Sequence, residues 1–155
     1  MIFSSISRQN YPEWLLAAVY ASPNPKTRDE LLDNLEDIAH NNHMPRLLAG
    51  DFNDHTGLKE KRSFSTNQNL NQSQSHGQKF VTHINNCKLM DLGYTGPSLT
   101  WSNNIQGWAK TLSHLDRALY NAEWRTRFPE GFARNLPRIL QPFTYASLHP
   151  WQAPV

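Results

Sequence analysis

Leu47-Leu48-Ala49-Gly50-Asp51-Phe52-Asn53 is a short apolar run that meets a glycine and then presents two small polar side chains where it ends. A buried strand of this kind is a rigid platform. Gly50 lets the backbone pass close to neighbouring groups, and the side chains beyond it can be held to the tolerance that chemistry demands. Asp51 offers oxygen acceptors and Asn53 an amide that both donates and accepts. The same residues also suit a strand running into an Asp/Asn turn, because these side chains readily hydrogen-bond their own backbone.

Upstream, Trp14-Leu15-Leu16-Ala17-Ala18-Val19-Tyr20 is apolar without alternation, the pattern of a strand covered on both faces, and it stops at Ala21-Ser22-Pro23-Asn24-Pro25. Thr27 followed three residues later by Glu30 has capping-box spacing and predicts a helix start, with acids in the first turn. Leu31, Leu35 and Ile38, flanked by Leu32 and Ala39, carry a helical stripe to about His40, and Asn41-Asn42 closes it. Strand, helix, strand is the sequence form of a layered α/β unit.

Downstream, the pattern dissolves from Asp54 to Gly77. Residues 65–77 read as a mobile polar loop, with too little apolar surface to offset ordering entropy. Phe80, Val81, Ile84 and Cys87 predict a second amphipathic helix, ending before Asp91-Leu92-Gly93. Leu99-Thr100-Trp101-Ser102 is strand-like. From His114 to Tyr120 the chain alternates, with Leu115, Arg117 and Leu119 on one side and Asp116, Ala118 and Tyr120 on the other. Asn121 can cap a short helix carrying Trp124 and Phe128, which Pro129 ends. Gln141 to Val155 holds three prolines and reads as no folded element.

With 155 residues, the chain fits one domain, and 38% hydrophobic content with a mean hydropathy of -0.66 is polar for a compact one. A formal charge of +2, with basic residues scattered, does not argue for a dedicated nucleic-acid binder. Cys87 stands alone, which excludes an internal disulfide and a thiolate zinc cluster and fits a reducing compartment. No apolar run approaches the length of a membrane span, and Met1 to Asn10 lacks the form of a signal peptide, so the expectation is an intracellular protein.

Tyr20, Asp51, Asn53, Asn103 and Asp116 all fall in strands or at strand ends, which can converge in one sheet. They come with no serine or cysteine nucleophile pattern and no Gly-rich phosphate loop. Such a set points to hard-metal, water-mediated chemistry on a phosphate ester. His40 and His43 lack a third ligand and read as surface residues, and His55, His76 and His83 as solvated ones. Trp101 and Trp124 are expected in the core, while Trp108 remains open between core and base stacking.

Together these residues resemble the endonuclease/exonuclease/phosphatase family, and most closely the endonuclease domain of LINE-type (non-LTR) retrotransposons, especially plant copies. The resemblance rests on Val19-Tyr20-Ala21-Ser22-Pro23-Asn24, Gly50-Asp51-Phe52-Asn53, Thr100-Trp101-Ser102-Asn103 and Leu115-Asp116-Arg117-Ala118-Leu119. Cys87 to Gly93 lies between the second and third of these. It covers about Trp14 to Leu140. It implies an α+β, DNase I-like fold, part of a four-layer α/β/β/α sandwich, and a Mg2+-dependent phosphodiesterase acting on DNA, nuclear if functional. It also implies roles: Tyr20 touching the scissile phosphate, Asp51 aligning or activating the attacking water, Asn53 binding phosphate or holding Asp51, and Asp116 orienting a catalytic histidine. Asn24, Thr100, Trp101 and Asn103 become expected substrate contacts.

The departures shape the expectation as much as the matches. Family members carry an Asn-bearing and a Glu-bearing strand before the segment equivalent to Trp14, and residues 1–13 show neither, so they read as a leader outside the family pattern. After Leu140 the family has Ser-Asp-His-Ser-Pro. Here the chain reads Gln141-Pro142-Phe143-Thr144 and later Ser147-Leu148-His149-Pro150, so 141–155 reads as a frameshifted tail rather than a displaced active His149. His114 stands where Arg or Lys usually precedes Leu-Asp. No family metal ligand is intact, which leaves little expected Mg2+ affinity. The resulting expectation is a catalytically silent endonuclease fragment, poorly stable because the Trp14–Tyr20 strand edge lies bare. A non-catalytic nucleic-acid-binding remnant and a small-molecule phosphoesterase of the same fold are the alternatives.

Overall fold

In the computed structural model, residues 1–64, 70–107, 110–136 and 146–148 are described, with backbone alone at 70–76 and 146–148. The chain runs β1 (Ile2–Arg8), β2 (Tyr11–Tyr20), α1 (Pro25–Asn41), β3 (Arg46–Asp51), β4 (Lys61–Ser63), α2 (Leu70–Asn86) and β5 (Met90–Asp91). It continues through β6 (Trp101–Ser102), β7 (Thr111–Ser113), β8 (Asp116–Tyr120), α3 (Ala122–Arg127), β9 (Ala133–Asn135) and β10 (Ala146–Leu148). The main sheet has the order β1-β2-β3-β8-β5; β4-β7-β6 form a second sheet and β9-β10 a third. The architecture is α+β, as expected.

β2 and β3 are parallel, and a parallel pair needs a crossover, which α1 supplies. β8 lies antiparallel on the other side of β3. Residues opposite one another share a face, so Ala17, Leu48 and Leu119 point one way while Leu16, Leu47 and Tyr120 point the other. On the first face α1 and α2 cover the sheet with Leu32, Leu35 and Phe80, whose ring lies 5.7 Å from that of Phe52. On the second face Leu47, Ala118 and Tyr120 pack with Trp124 and Ala133. Trp14, Trp124 and Phe128 stack there at 5.0–6.4 Å.

Several expectations are corrected. The edge of β2 is not bare: Ile2 to Arg8 pairs antiparallel along it, so residues 1–13 join the sheet instead of leading into it. β2 is covered along the helix face but only in part on the other, where Trp14 and Leu16 pack while Ala18 is exposed and Tyr20 66% exposed. Helix α1 starts two residues before the expected capping box. Asn24 caps it by accepting from the Lys26 amide, and Pro25 takes the first position, where its missing N–H costs nothing. The stretch expected as a polar loop becomes helix from Leu70. Its glutamines are adequate helix formers, and the turn they make continues the amphipathic run from Phe80. Residues 65–69 and Trp108 lie outside the described residues. The tail contributes β10, paired with β9 through Ala146↔Asn135, although 137–145 and His149 lie outside the description.

Trp124 is buried, as expected. Trp101 is not: it stands 37% exposed on the two-residue strand β6, whose buried side chain is Ser102. His40 and His43 are exposed, as read. His55 and His83 are instead largely enclosed, with side chains 13% and 12% exposed, the latter because its Nδ1 meets Glu36 Oε1 at 2.5 Å between α1 and α2. The backbone alone is described at His76.

The tightest approach in the sheet is at Gly50. Its φ is +143°, and a Cβ there would lie 1.9 Å from the Val19 carbonyl oxygen. Gly50→Ala must therefore force β2 and β3 apart as well as strain the backbone. A loss on the order of 3 kcal/mol in urea denaturation is expected, and a change under about 0.5 kcal/mol, the level of an ordinary surface substitution, would contradict this packing.

Candidate active site

The register places three polar side chains abreast on one sheet face. Tyr20 lies opposite Asp51 across the β2–β3 pair, and Asp51 lies opposite Asp116 across β3–β8. Cross-strand neighbours of this kind have Cβ atoms about 5 Å apart. Backbone bonds continue past the carboxylates on both sides, with Ala21 N donating to Asp51 O at 2.7 Å and Phe52 N to Leu115 O at 2.9 Å. The strand end is thus clamped from left and right.

Asn53 braces Asp51. The chain turns at Asn53 with φ +48°, a conformation Asn tolerates better than most residues. Its backbone N–H donates to Asp51 Oδ1 at 2.8 Å, and its Nδ2 donates to Ala21 O at 2.7 Å and Asp51 Oδ2 at 3.4 Å. One amide therefore ties the ends of β2 and β3 together and orients the carboxylate. Behind it, Arg28 of α1 donates from Nη1 to Asn53 O at 3.0 Å and pairs through Nε with Asp54 at 3.1 Å, both side chains being buried.

Thr100 braces Asp116. It is buried, its Oγ1 accepts from the Leu115 and Asp116 amides at 3.1 and 3.2 Å, and its hydroxyl also steadies the Asp116 carboxylate. Thr100 is thus a support under the site. Asn103 Oδ1 likewise accepts from the Ile105 and Thr111 amides and shapes the loop after β6. Asn24 serves as the cap of α1, while Trp101 is exposed beyond Thr100.

Three features escaped the sequence reading. Arg28 interrupts the apolar stripe of α1, and nothing local marks its partner, Asp54. Arg117 is buried between Glu60 and Asp91, with its guanidinium 5.6 Å from the Phe80 ring centre. His114, visible only as an unusual residue before Leu115-Asp116, is buried against the Tyr94 ring at 4.5 Å, and its Nδ1 has no partner among the described residues.

The charges separate into two kinds. Burial works against the Glu60 charge, but the hydrogen bonds and charge of Arg117, helped by Thr56, more than offset it and hold its carboxyl below the usual range. Asp51 goes the other way. Burial raises it, the Asn53 amide only partly opposes that, and the Asp116 charge adds to it. Burial also raises Asp116 against the opposing effects of Thr100 and His114. Two adjacent carboxylates therefore share a site with no guanidinium or ammonium bonded to either among the described contacts.

An α+β fold with braced carboxylates at neighbouring strand ends is compatible with a phosphoesterase-type scaffold. Residues 6–147 match the endonuclease/exonuclease/phosphatase family model, and the chain belongs to that family. Among solved structures it is similar to the endonuclease domain of TRAS1, a telomere-specific non-LTR retrotransposon, with a TM-score of 0.52 and 15% identity. The match covers 77% of this chain and 49% of that one, so this chain spans about half its length. A search of curated proteins finds no match. No described helix is long and apolar enough to cross a membrane.

The family is generally metal-dependent, and the donors described here do not fit a cation held by the protein alone. No group of three or more His, Cys, Asp or Glu among the described residues could hold one. Glu60 and Asp91 are engaged by Arg117, and Asp51 is turned onto Asn53.

The raised carboxyls yield a pH prediction. Asp51 and Asp116 bind protons more readily folded than unfolded. Their contribution to stability is thus full below the ordinary carboxyl value of about 3.9 and is lost as pH rises through the folded values. Asp116→Asn, which removes one charge while keeping an acceptor for Thr100, should be more stable than the parent at pH 7 in EDTA, with the gap closing toward pH 4. Equal or lower stability of the variant at pH 7 would show that the site is not electrostatically strained.

Proposed function

We propose that this chain carries the phosphate-facing part of a retrotransposon-type DNA endonuclease site and does not itself cleave. The observation that supports this is the row Tyr20, Asp51, Asp116 on one sheet face, with Asn53 bracing Asp51. The exposed Tyr20 phenol meets a non-bridging phosphate oxygen as a hydrogen-bond donor. Asp51, fixed by Asn53, accepts from the attacking water and aligns it, a positioning effect that needs a carboxylate held in one orientation. Asp116 is placed to orient an imidazole, as a carboxylate does by fixing tautomer and ring direction.

That imidazole is not His114, which is 2% exposed and packed on Tyr94, out of reach of a phosphate at the surface. Absence of a general acid/base costs roughly 10²–10⁴-fold in rate. In the family a divalent cation, when bound, neutralises charge on the phosphate. Here the carboxylate pair is short of donors for one, and both effects act against turnover.

The reading is tested with supercoiled plasmid DNA and Mg2+, with Asp51→Asn as the control. No nicking above the control is expected, and Asp51-dependent nicking would overturn the claim of silence. A second measurement keeps the phosphate-facing role open to refutation. Titration with dimethyl phosphate in excess Mg2+, which brings the positive charge the carboxylate pair lacks, followed by amide NMR shifts, should move Asp51, Asn53 and Asp116 first, and no response at these three would remove the phosphate from the site.

A further inference from the structure

At the other end of β2 the same sheet face closes into a cleft of about 280 Å³. Trp14, six residues and roughly 20 Å along the strand from Tyr20, lies on the face of Leu16, Ala18 and Tyr20 and forms its floor together with Ile6, its partner across the β1–β2 pair. Phe128, just past α3, packs edge-on to Trp14 at 5.4 Å, and Tyr11, 48% exposed, stands at the rim.

Among the described residues, two cations and no carboxylate line this cleft. The Arg8 guanidinium sits over the Tyr11 ring at 5.5 Å. Arg127 is anchored through Nη1 to the carbonyls of Pro12 and Glu13 at 2.8 and 3.1 Å, which fixes its charge against the wall. The nearest acid in sequence, Glu13, bonds the Ser5 hydroxyl, and alternation along β2 turns it to the opposite face from Trp14. The site therefore joins ring surface, apolar floor and local positive charge in a chain whose net charge is only +2.

We propose that this cleft takes one unstacked nucleotide of a single-stranded nucleic acid, the base against Tyr11, Trp14 and Phe128 and the phosphate toward Arg8 and Arg127. Aromatic rings accept any base because every base has a π-face, and guanidinium groups add charge and cation–π attraction. A peptide partner would be offered the same rings, but the paired arginines without an acid favour an anion. The site is independent of whether the Asp51–Asp116 pair is active.

The test is fluorescence anisotropy of a labelled oligo-dT 12-mer at low salt without Mg2+, using the intact chain and the double variant Arg8→Gln/Tyr11→Ala. Both positions are exposed, and circular dichroism checks that the variant folds. Binding should weaken at least tenfold in the variant and its salt dependence should become shallower, while Lys88→Gln, at an exposed cation outside both sites, leaves affinity unchanged. Equal affinity of parent and double variant, or no binding by the parent, would overturn the proposal. Binding lost in Tyr20→Ala but kept in Arg8→Gln/Tyr11→Ala would also overturn it while leaving the phosphate-facing reading of the carboxylate site intact. Free thymidine monophosphate competing as well as the oligonucleotide at equal nucleotide concentration would overturn the assignment to a single strand.

Discussion

The parallel pairing of β2 with β3 is the contact on which the rest of the structure depends. It forces the crossover through α1, and it is possible only because position 50 has no side chain, since the Val19 carbonyl occupies the space a Cβ would take. That register sets which residues face the helices. A slip of β2 by one residue would bury Tyr20 against α1, part it from Asp51 and turn Ala17 and Val19 outward. The apolar packing on the helix face and the polar row on the other are thus one specification. The core cannot be rebuilt in another register without dismantling the site.

Electrostatics divides the acids by task. Glu60, Asp91 and Asp54 neutralise buried arginines, and these pairs hold the second sheet and α1 against the main sheet. A buried arginine deprived of its partner is strongly destabilising, so such carboxylates cannot also be offered to a ligand. Asp51 and Asp116 are different. Their hydrogen bonds come from Asn53 and Thr100, neutral groups that orient a carboxylate without cancelling its charge. Carboxyls perturbed by burial without an opposing cation cluster at functional sites, which is why the proposed phosphate-facing role is placed on this pair and not on the paired acids.

How much of this was legible in the sequence follows from which forces are local. The strand from Arg46, the second helix and the Asn121 cap were readable, because apolar period and capping chemistry act within a few residues. Tyr20, Asp51, Asn53 and Asp116 could be picked out as strand-end residues, and the sheet does bring them together. The start of α1 was misplaced because Thr27-Arg28-Asp29-Glu30 and Asn24-Pro25 are both good start signals, and the proline fixes the earlier one. The first strand was missed because Ile2 to Arg8 carries serines at alternate and adjacent positions and gains its strand form from pairing with β2. Arg28 and Arg117 carry no local sign of burial in the sequence. Their burial depends on Asp54 and Glu60, partners 26 and 57 residues away in sequence, and no local pattern encodes that. Trp101 is expected in the core because it lies in a strand-like run, yet on the two-residue strand β6 it is Ser102 that is buried and the indole that faces out.

Charge placement on the open sheet face also constrains how an anionic chain could approach it. The Asp51–Asp116 end is negative and lacks a bonded cation among the described contacts, so it repels phosphate unless a positive charge arrives with the ligand. The opposite end carries Arg8 and Arg127 over aromatic surface. A net charge of +2 is too small to draw a polyanion from a distance, and screening limits exposed charges to within about 8–10 Å of the surface at ordinary salt. Attraction is therefore local to the arginine end and repulsion local to the carboxylate end. The open face is electrostatically asymmetric along the axis of β2, with its positive side at Arg8 and Arg127.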